Sequence, residues 1–518
     1  MTSARSSYDD VVYESHVLFY TNPACLAATG RLYGLQPPAV ERCRVLELGC
    51  ATAGNLLSLA VTLPHASFVG VDSSARQIRE GLDHAKALGL TNIALHQCDI
   101  LDVGKDFGTF DYIICHGVYS WVPSTVADQI LSICARRLSP QGIAYVSYNT
   151  YPGWHIKAMI RDMMLYHVRQ VNEPLQRVRE ARTFLHVLAR SVGDQEDLYK
   201  RLLAQQAEDL EQGEDAYVFH EFLEDVNTPV YFHEFTARAA ANGLQYLGPA
   251  RFSSWEQALS PEIHEALSSV PRLVREQYLD FLGNRTFRRS LLCHAAAPVA
   301  AAPQAEAVRD LYLMAEVSPL SETPDVTSSA VEEFRAGAEG VVSTNHPLAK
   351  AILTVLAEAH PLAVPFGSLR SLVQDRLAIA HDPSKSEHIL MEAVLHCAQA
   401  NLLELRSAPP SFAAEISERP LASPLARLQA QGPGLIGNLR HRLVEVADLD
   451  RIVLRYLDGA HDLTALHHEA TKAIAAGEIE LQDAAAVPIR DPAAIAEAMD
   501  AALGPALERL KNQALLLA

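Results

Sequence analysis

Between Val45 and Asn55 the chain reads VLELGCATAGN: a short apolar run, an acid, a tight turn with glycine, and the start of a helical pattern. No other feature restricts the fold as much. A strand that runs through such a turn into a helix fits a parallel sheet, because a crossover must carry the chain back before the next parallel strand. Residues 44–149 continue the alternation. NLLSLAVTL has helical spacing, ASFVGVD is a second apolar run, and SARQIREGLDHAKAL is an amphipathic helix closed by Gly89. NIALHQCDI, FDYIICHG and GIAYVSYN read as further strands, with the helix STVADQILSICARRL between the last two. Ligands of such sheets bind beyond the carboxyl ends of the strands. The residues just after each strand are therefore the candidate site.

The first turn contributes Glu47, Gly49, Cys50, Ala51, Gly54 and Asn55. Glycine permits positive φ and close approach of the backbone to a ligand. Ala51 stands where a strict GxG needs glycine, which argues against a standard dinucleotide fingerprint. The second strand ends at Asp72, followed by Ser73. That is roughly 20 residues on, the spacing at which a carboxylate meets ribose hydroxyls in nucleotide-binding folds. Cys98, Asp99 and Ile100 close the third strand, and His116 follows the fourth. By type and position His116 is the candidate general base, with a cofactor contact as the alternative. Tyr119 and Trp121 come next, and Tyr148, Asn149, Tyr151 and Trp154 follow the fifth strand. Two of the chain's three tryptophans fall in these segments, which favours an aromatic substrate channel over loop packing.

Residues 155–215 read as a charged helical insertion, and apolar runs in 216–297 as strands that complete the first sheet. The core is then split, 1–154 with 216–297. The Ala/Pro stretch around Pro298–Ala307 marks a linker region, 298–340. Residues 341–410 and 411–518 each show helices leading to a strand, as in winged-helix modules. The formal net charge of -19 opposes nucleic acid and anionic membrane as partners. Acids in GEIELQDAAAV and DLDRIVLRYLDGAHD spoil a recognition surface for DNA in the last module. The eight cysteines show no paired spacing, and the His220-Glu221 and His233-Glu234 pairs lack HExxH spacing, so no metal site is expected. No signal peptide or membrane span is visible, which makes the cytoplasm the expected compartment.

The order of these features resembles class I S-adenosylmethionine-dependent methyltransferases, Rossmann-like α/β proteins. SYDDVVYES, HGVYSWVP, SYNTYPGWH, HEFLEDVNTPVYFHEF, NGLQYLGPARF and FLGNRTFRRSLLC narrow the resemblance. They are similar to methyltransferases that carry a methyltransferase regulatory domain, including the rickettsial outer-membrane-protein lysine methyltransferases. TNHPLAKAIL and ERPLASPLARLQAQ extend the likeness to the C-terminal region. The resemblance implies that Glu47, Gly49 and Gly54 shape the methionine pocket and Asp72 holds the ribose. It also implies that Asp99 and the Ile100 backbone meet adenine, and that Tyr8 and Tyr13 fold over the cofactor. Cys50, Ala51, Asn55, Ser73, Cys98 and His116 complete the expected cofactor set. His116, Tyr119, Trp121, Asn149, Tyr151 and Trp154 are the expected catalytic set. The resemblance further implies a homodimer and methyl transfer to lysine of a protein. A lysine nucleophile must first lose its proton, and burial among rings favours the neutral amine. The alternatives are a small-molecule O- or N-methyltransferase and a non-catalytic cofactor-binding regulator with winged-helix interaction modules.

Overall fold

The computed structural model describes residues 11, 15–191, 197–251, 259–337, 340–377, 383–480, 489 and 491–517. Its centre is a seven-stranded sheet built from β1 (Arg44–Leu48), β2 (Ser67–Asp72), β3 (Ile93–Gln97), β4 (Phe110–Cys115), β5 (Leu138–Asn149), β6 (Leu244–Pro249) and β7 (Phe287–His294). The order across the sheet is β3-β2-β1-β4-β5-β7-β6. The first five strands pair in parallel, and β7 lies antiparallel between β5 and β6.

The strands are apolar on both faces because both faces are covered. On one side Val45, Phe68 and Ile143 pack with Leu56, Leu59 and Ile78, which come from the helices Gly54–Thr62 and Ala75–Ala87. On the other, Leu46, Ile113 and Val146 pack with Ile130, Cys134 and Phe235, from the helices Ser124–Arg137 and Phe232–Ala241. Winding reverses between β1 and β4. This leaves a crevice at the carboxyl end of the sheet.

The helices Trp154–Val168, Pro174–Ser191 and Leu198–Gln212 form a separate bundle around Met164, Leu185 and Leu203, joined by Val11. The region 298–340, expected as a linker, is different from that expectation. Residues 305–310 form a short helix, and three short strands follow within 312–336. Tyr312–Met314 pairs with Val364–Pro365 and Glu404–Arg406, while Glu332–Ala336 pairs with Val317–Pro319 and Val341–Thr344. Val308, Leu313 and Phe334 are fully buried. These strands are too short to print an alternating pattern that composition would reveal.

The helices Pro347–Ala359, Phe366–Leu377 and Pro383–Gln399 complete that module. After it come Pro424–Gln429, a hairpin of Ile436–Gly437 and Leu443–Val444, and the helices Asp448–Tyr456, Leu463–Ala475 and Pro492–Asn512. Among the described residues no helix is long and apolar enough to cross a membrane.

Candidate functional site

Glu47 lies at the end of β1 with its side chain buried. Its Oε1 accepts a hydrogen bond from Asn55 Nδ2 at 3.0 Å, and its Oε2 has no partner among the described residues. Burial pushes the carboxyl up to about 8; the Asn55 bond opposes this and the nearby Asp72 adds to it.

The turn that follows has positive φ at Gly49 (73°), Ala51 (49°) and Ala53 (61°). Ala51 therefore adopts the left-handed conformation that its residue type disfavours, at a cost of about 1–2 kcal/mol. A Cβ on Gly49 would stand 2.5 Å from Val118 Cγ2, so that position admits no side chain. Several N–H groups of the turn are engaged within the protein. Gly49 and Cys50 donate to the Val71 carbonyl, Ala51 to Asp72 Oδ2, Ala53 to the Cys50 carbonyl and Gly54 to Ser15 Oγ.

Asp72 ends β2. Its Oδ2 accepts from Ala51 N and its Oδ1 from Ser74 N, both at 2.9 Å. The Cys98 N–H donates to the Asp72 carbonyl, so the end of β3 is tied to the end of β2. Asp99 is exposed and caps a short turn at Leu101 N, with Cys98 and Ile100 half-buried and Ser73 exposed beside them. Glu47, Gly49–Asn55, Asp72, Ser73 and Cys98–Ile100 thus gather at one edge of the parallel strands. Tyr8 and Tyr13 fall outside the described residues.

His116 follows β4. Its Nδ1 meets the Tyr145 hydroxyl at 2.9 Å, and its ring packs edge-on to Phe287. Burial, helped by Arg289, pushes its pKa down to about 4. The ring is therefore neutral at pH 7, with Nδ1 engaged by the Tyr145 hydroxyl. Tyr119 departs from expectation. It is buried in the sheet's lower core against Tyr148 and Phe235, with ring centroids 6.0 and 5.3 Å away, and lines no channel. Its apolar ring follows the hydrophobic face of β5 and the helix Phe232–Ala241.

The remaining rings do cluster. Trp121 lies edge-on to the buried Trp154. Tyr151 stacks on His155 at 4.1 Å and leans on Tyr231 at 5.2 Å. Asn149 is buried; its N–H donates to Ser120 Oγ and its carbonyl accepts from Val230 N. Asn149 Nδ2 and Trp154 Nε1 have no partner among the described residues. His220 is held by Glu224 and the Val11 carbonyl, and Glu221 by Lys157. His233 binds Gln277, and Glu234 caps Tyr231 N. Each of these four is thus engaged in local structure.

His116 also borders an open cavity of about 930 Å³ between the sheet and the C-terminal modules. Tyr20, Arg251, Arg289, Glu404 and Arg442 share its wall. Sequence reasoning did not single out Ser15, Tyr145, His155, Tyr231 or Arg289. The last three sit inside the strings SYNTYPGWH, NTPVYF and FRRS, and Ser15 closes SYDDVVYES, so these four were within reach.

Three family models match the chain: "Methyltransferase domain" over residues 39–212, "Predicted methyltransferase regulatory domain" over 214–294, and "PKMT, C-terminal winged helix domain" over 418–515. The Rickettsia prowazekii protein RP789 is 34% identical over 526 aligned residues, covering 99% of this chain and 94% of that one. A shorter protein of the same organism, RP028, is 38% identical over 243 residues, 47% of this chain and 97% of its own. The structure of PKMT2 from Rickettsia typhi in complex with AdoHcy superimposes with a TM-score of 0.87 at 30% identity, covering 98% of this chain and 100% of that chain.

Proposed function

The chain belongs to the family of RP789 and PKMT2, S-adenosylmethionine-dependent methyltransferases with a regulatory and a winged-helix domain, and from that premise we propose that it methylates lysine side chains of a protein. The observation that carries this reading is the end-to-end match to PKMT2, a protein lysine methyltransferase by name, which includes the modules outside the sheet.

The residues at the strand ends fit the cofactor. The partnerless Glu47 Oε2 offers an acceptor to a cation. A carboxylate oxygen can accept more than one hydrogen bond, so Asp72 can take the ribose hydroxyls while it anchors Ala51 and Ser74. Asp99 and the Ile100 backbone would face the adenine. Asn55 orients Glu47, and Gly49 keeps the backbone close.

When bound, S-adenosylmethionine supplies a sulfonium methyl carbon whose leaving group is a neutral thioether. The acceptor nitrogen forms the new C–N bond while the C–S bond breaks and its electron pair stays on sulfur. The protein must position that nitrogen in line and exclude water. Trp121, Tyr151 and Trp154 supply rings that disfavour the charged amine by desolvation and receive the methylated cation through their faces. Asn149 Nδ2 lies beside them as a donor for the incoming chain. The partly buried His116 is a positioning group held by Tyr145, and the amine's proton leaves to solvent before transfer.

The test is transfer of labelled methyl groups from S-adenosylmethionine to cell extract. Label recovered as methyllysine after hydrolysis of the protein fraction is the expected result. Label confined to small molecules would replace this reading with small-molecule methylation.

A further inference from the structure

The tip of the hairpin Ile436–Val444 is inserted against the cofactor turn, although roughly 400 residues of chain separate them. His441 is fully buried there, with φ of 61°. Its Nε2 lies 2.8 Å from Asn55 Oδ1 and its Nδ1 lies 2.9 Å from Ser58 Oγ. An amide oxygen only accepts, so Nε2 carries the proton and Ser58 donates to Nδ1. Burial, aided by Arg406, pushes its pKa down to about 3 and keeps the ring neutral.

Asn55 is the junction. Its Oδ1 accepts from His441 and from Leu18 N at 2.9 Å, and its Nδ2 donates to Thr21 Oγ1 and to Glu47 Oε1 at 3.0 Å. These four contacts leave the amide one orientation. The hairpin tip is itself fixed: Asn438 Oδ1 accepts from Arg440 N and Arg442 N, and Asn438 Nδ2 donates to the Gln513 carbonyl. Arg442 lies over Phe19 at 3.9 Å, which pins the N-terminal segment that also carries Leu18 and Thr21.

We propose that His441 is a positioning residue for the cofactor site, through which the C-terminal winged-helix domain holds Asn55, and with it Glu47, in the geometry that binds S-adenosylmethionine. This rests on the cofactor reading above. The site is then incomplete without the C-terminal domain, whose hairpin serves an internal contact. Linkage makes the coupling reciprocal: cofactor binding must also steady the hairpin.

The full-length wild type, His441→Leu and His441→Gln are titrated with S-adenosylhomocysteine in a calorimeter, with circular dichroism as the check on folding. The Leu variant is expected to bind at least tenfold more weakly. The Gln variant, whose amide nitrogen can replace Nε2–H, is expected to stay within threefold. Wild-type affinity in a folded Leu variant overturns the proposal. Hydrogen exchange of the wild type supplies the measurement that needs no variant. Added S-adenosylhomocysteine is expected to slow exchange in 438–444 along with 49–55. Unchanged exchange in 438–444 overturns the proposal. Failure of the cofactor reading shows differently, as no binding by the wild type.

Discussion

Single residues at the strand ends carry opposite pH dependences. Glu47 has its folded pKa raised from 4.5 to about 8, so the folded state holds a proton there that the unfolded chain has released. Stability on this account falls as pH rises from 4.5 to 8. Glu47→Gln should remove that fall, and thermal melting of the ligand-free protein between pH 5 and 8 checks it; parallel curves for both proteins would refute it. His116 works in the other direction. Its folded pKa is lowered from 6.5 to about 4, so stability is lost as pH falls through that interval. Asp72→Ala removes the charged acceptor proposed for the ribose. A hydrogen bond to a charged group contributes about 1.5–3 kcal/mol, so S-adenosylhomocysteine affinity should fall by about ten- to a hundredfold in a calorimetric titration. Asp72 was legible because an acid ends the second strand roughly 20 residues beyond the first turn. Tyr119 was misread because ring type does not say which side of a strand end it faces.

The turn between β1 and the helix Gly54–Thr62 is the element on which the site depends. Ala51 and Ala53 share the left-handed strain but differ in burial, since Ala53 is wholly buried and Ala51 only partly. Ala51→Gly should stabilise the protein by about 0.5–1 kcal/mol in urea unfolding. Ala53→Gly should gain little, because the loss of a buried methyl costs about 0.8 kcal/mol. Equal gains at both positions would refute this account. Gly54 is needed for a different reason. A Cβ there would stand 2.0 Å from the Ser15 carbonyl, so Gly54→Ala must push the N-terminal segment off the turn. Weaker S-adenosylhomocysteine binding with faster proteolysis around 15–20 is the expected outcome. The existence and order of these elements were legible in 44–149, where apolar runs and helical spacing alternate cleanly. In 305–336 they were not, because strands of a few residues leave no period to detect.

At the scale of the molecule, the two C-terminal modules are joined to each other by buried charge. Glu404 pairs with Arg406, Arg442 and Arg440 in one network. Burial raises its pKa, but the three guanidinium groups win and hold it down to about 2. Its stabilisation is thus present above pH 4.5 and lost as pH falls towards 2. Glu404→Ala leaves the buried Arg406 and Arg440 and the partly exposed Arg442 without their carboxylate partner and should cost about 3–5 kcal/mol. Scanning calorimetry should then show the last module melting ahead of the rest; a single unshifted transition would refute the network's role. The helical bundle exposes Tyr166, Val187 and Leu198 at 68%, 55% and 73%. Light scattering of Leu198→Glu beside the wild type would test whether these residues serve the homodimer that the family resemblance implies; a wild-type monomer would refute it.

The sequence alone determined the doubly wound sheet, the cofactor turn and the acids that end its strands. These depend on local periodicity and on spacings within a few tens of residues, where chain connectivity leaves little choice. Tertiary structure alone decided that His116 meets Tyr145 and Phe287 at the wall of the large cavity. It alone brought His441 and the Glu404 cluster against Asn55 and Phe19. Burial and contact between distant segments come from packing whole elements together, and no local pattern records which surfaces will meet.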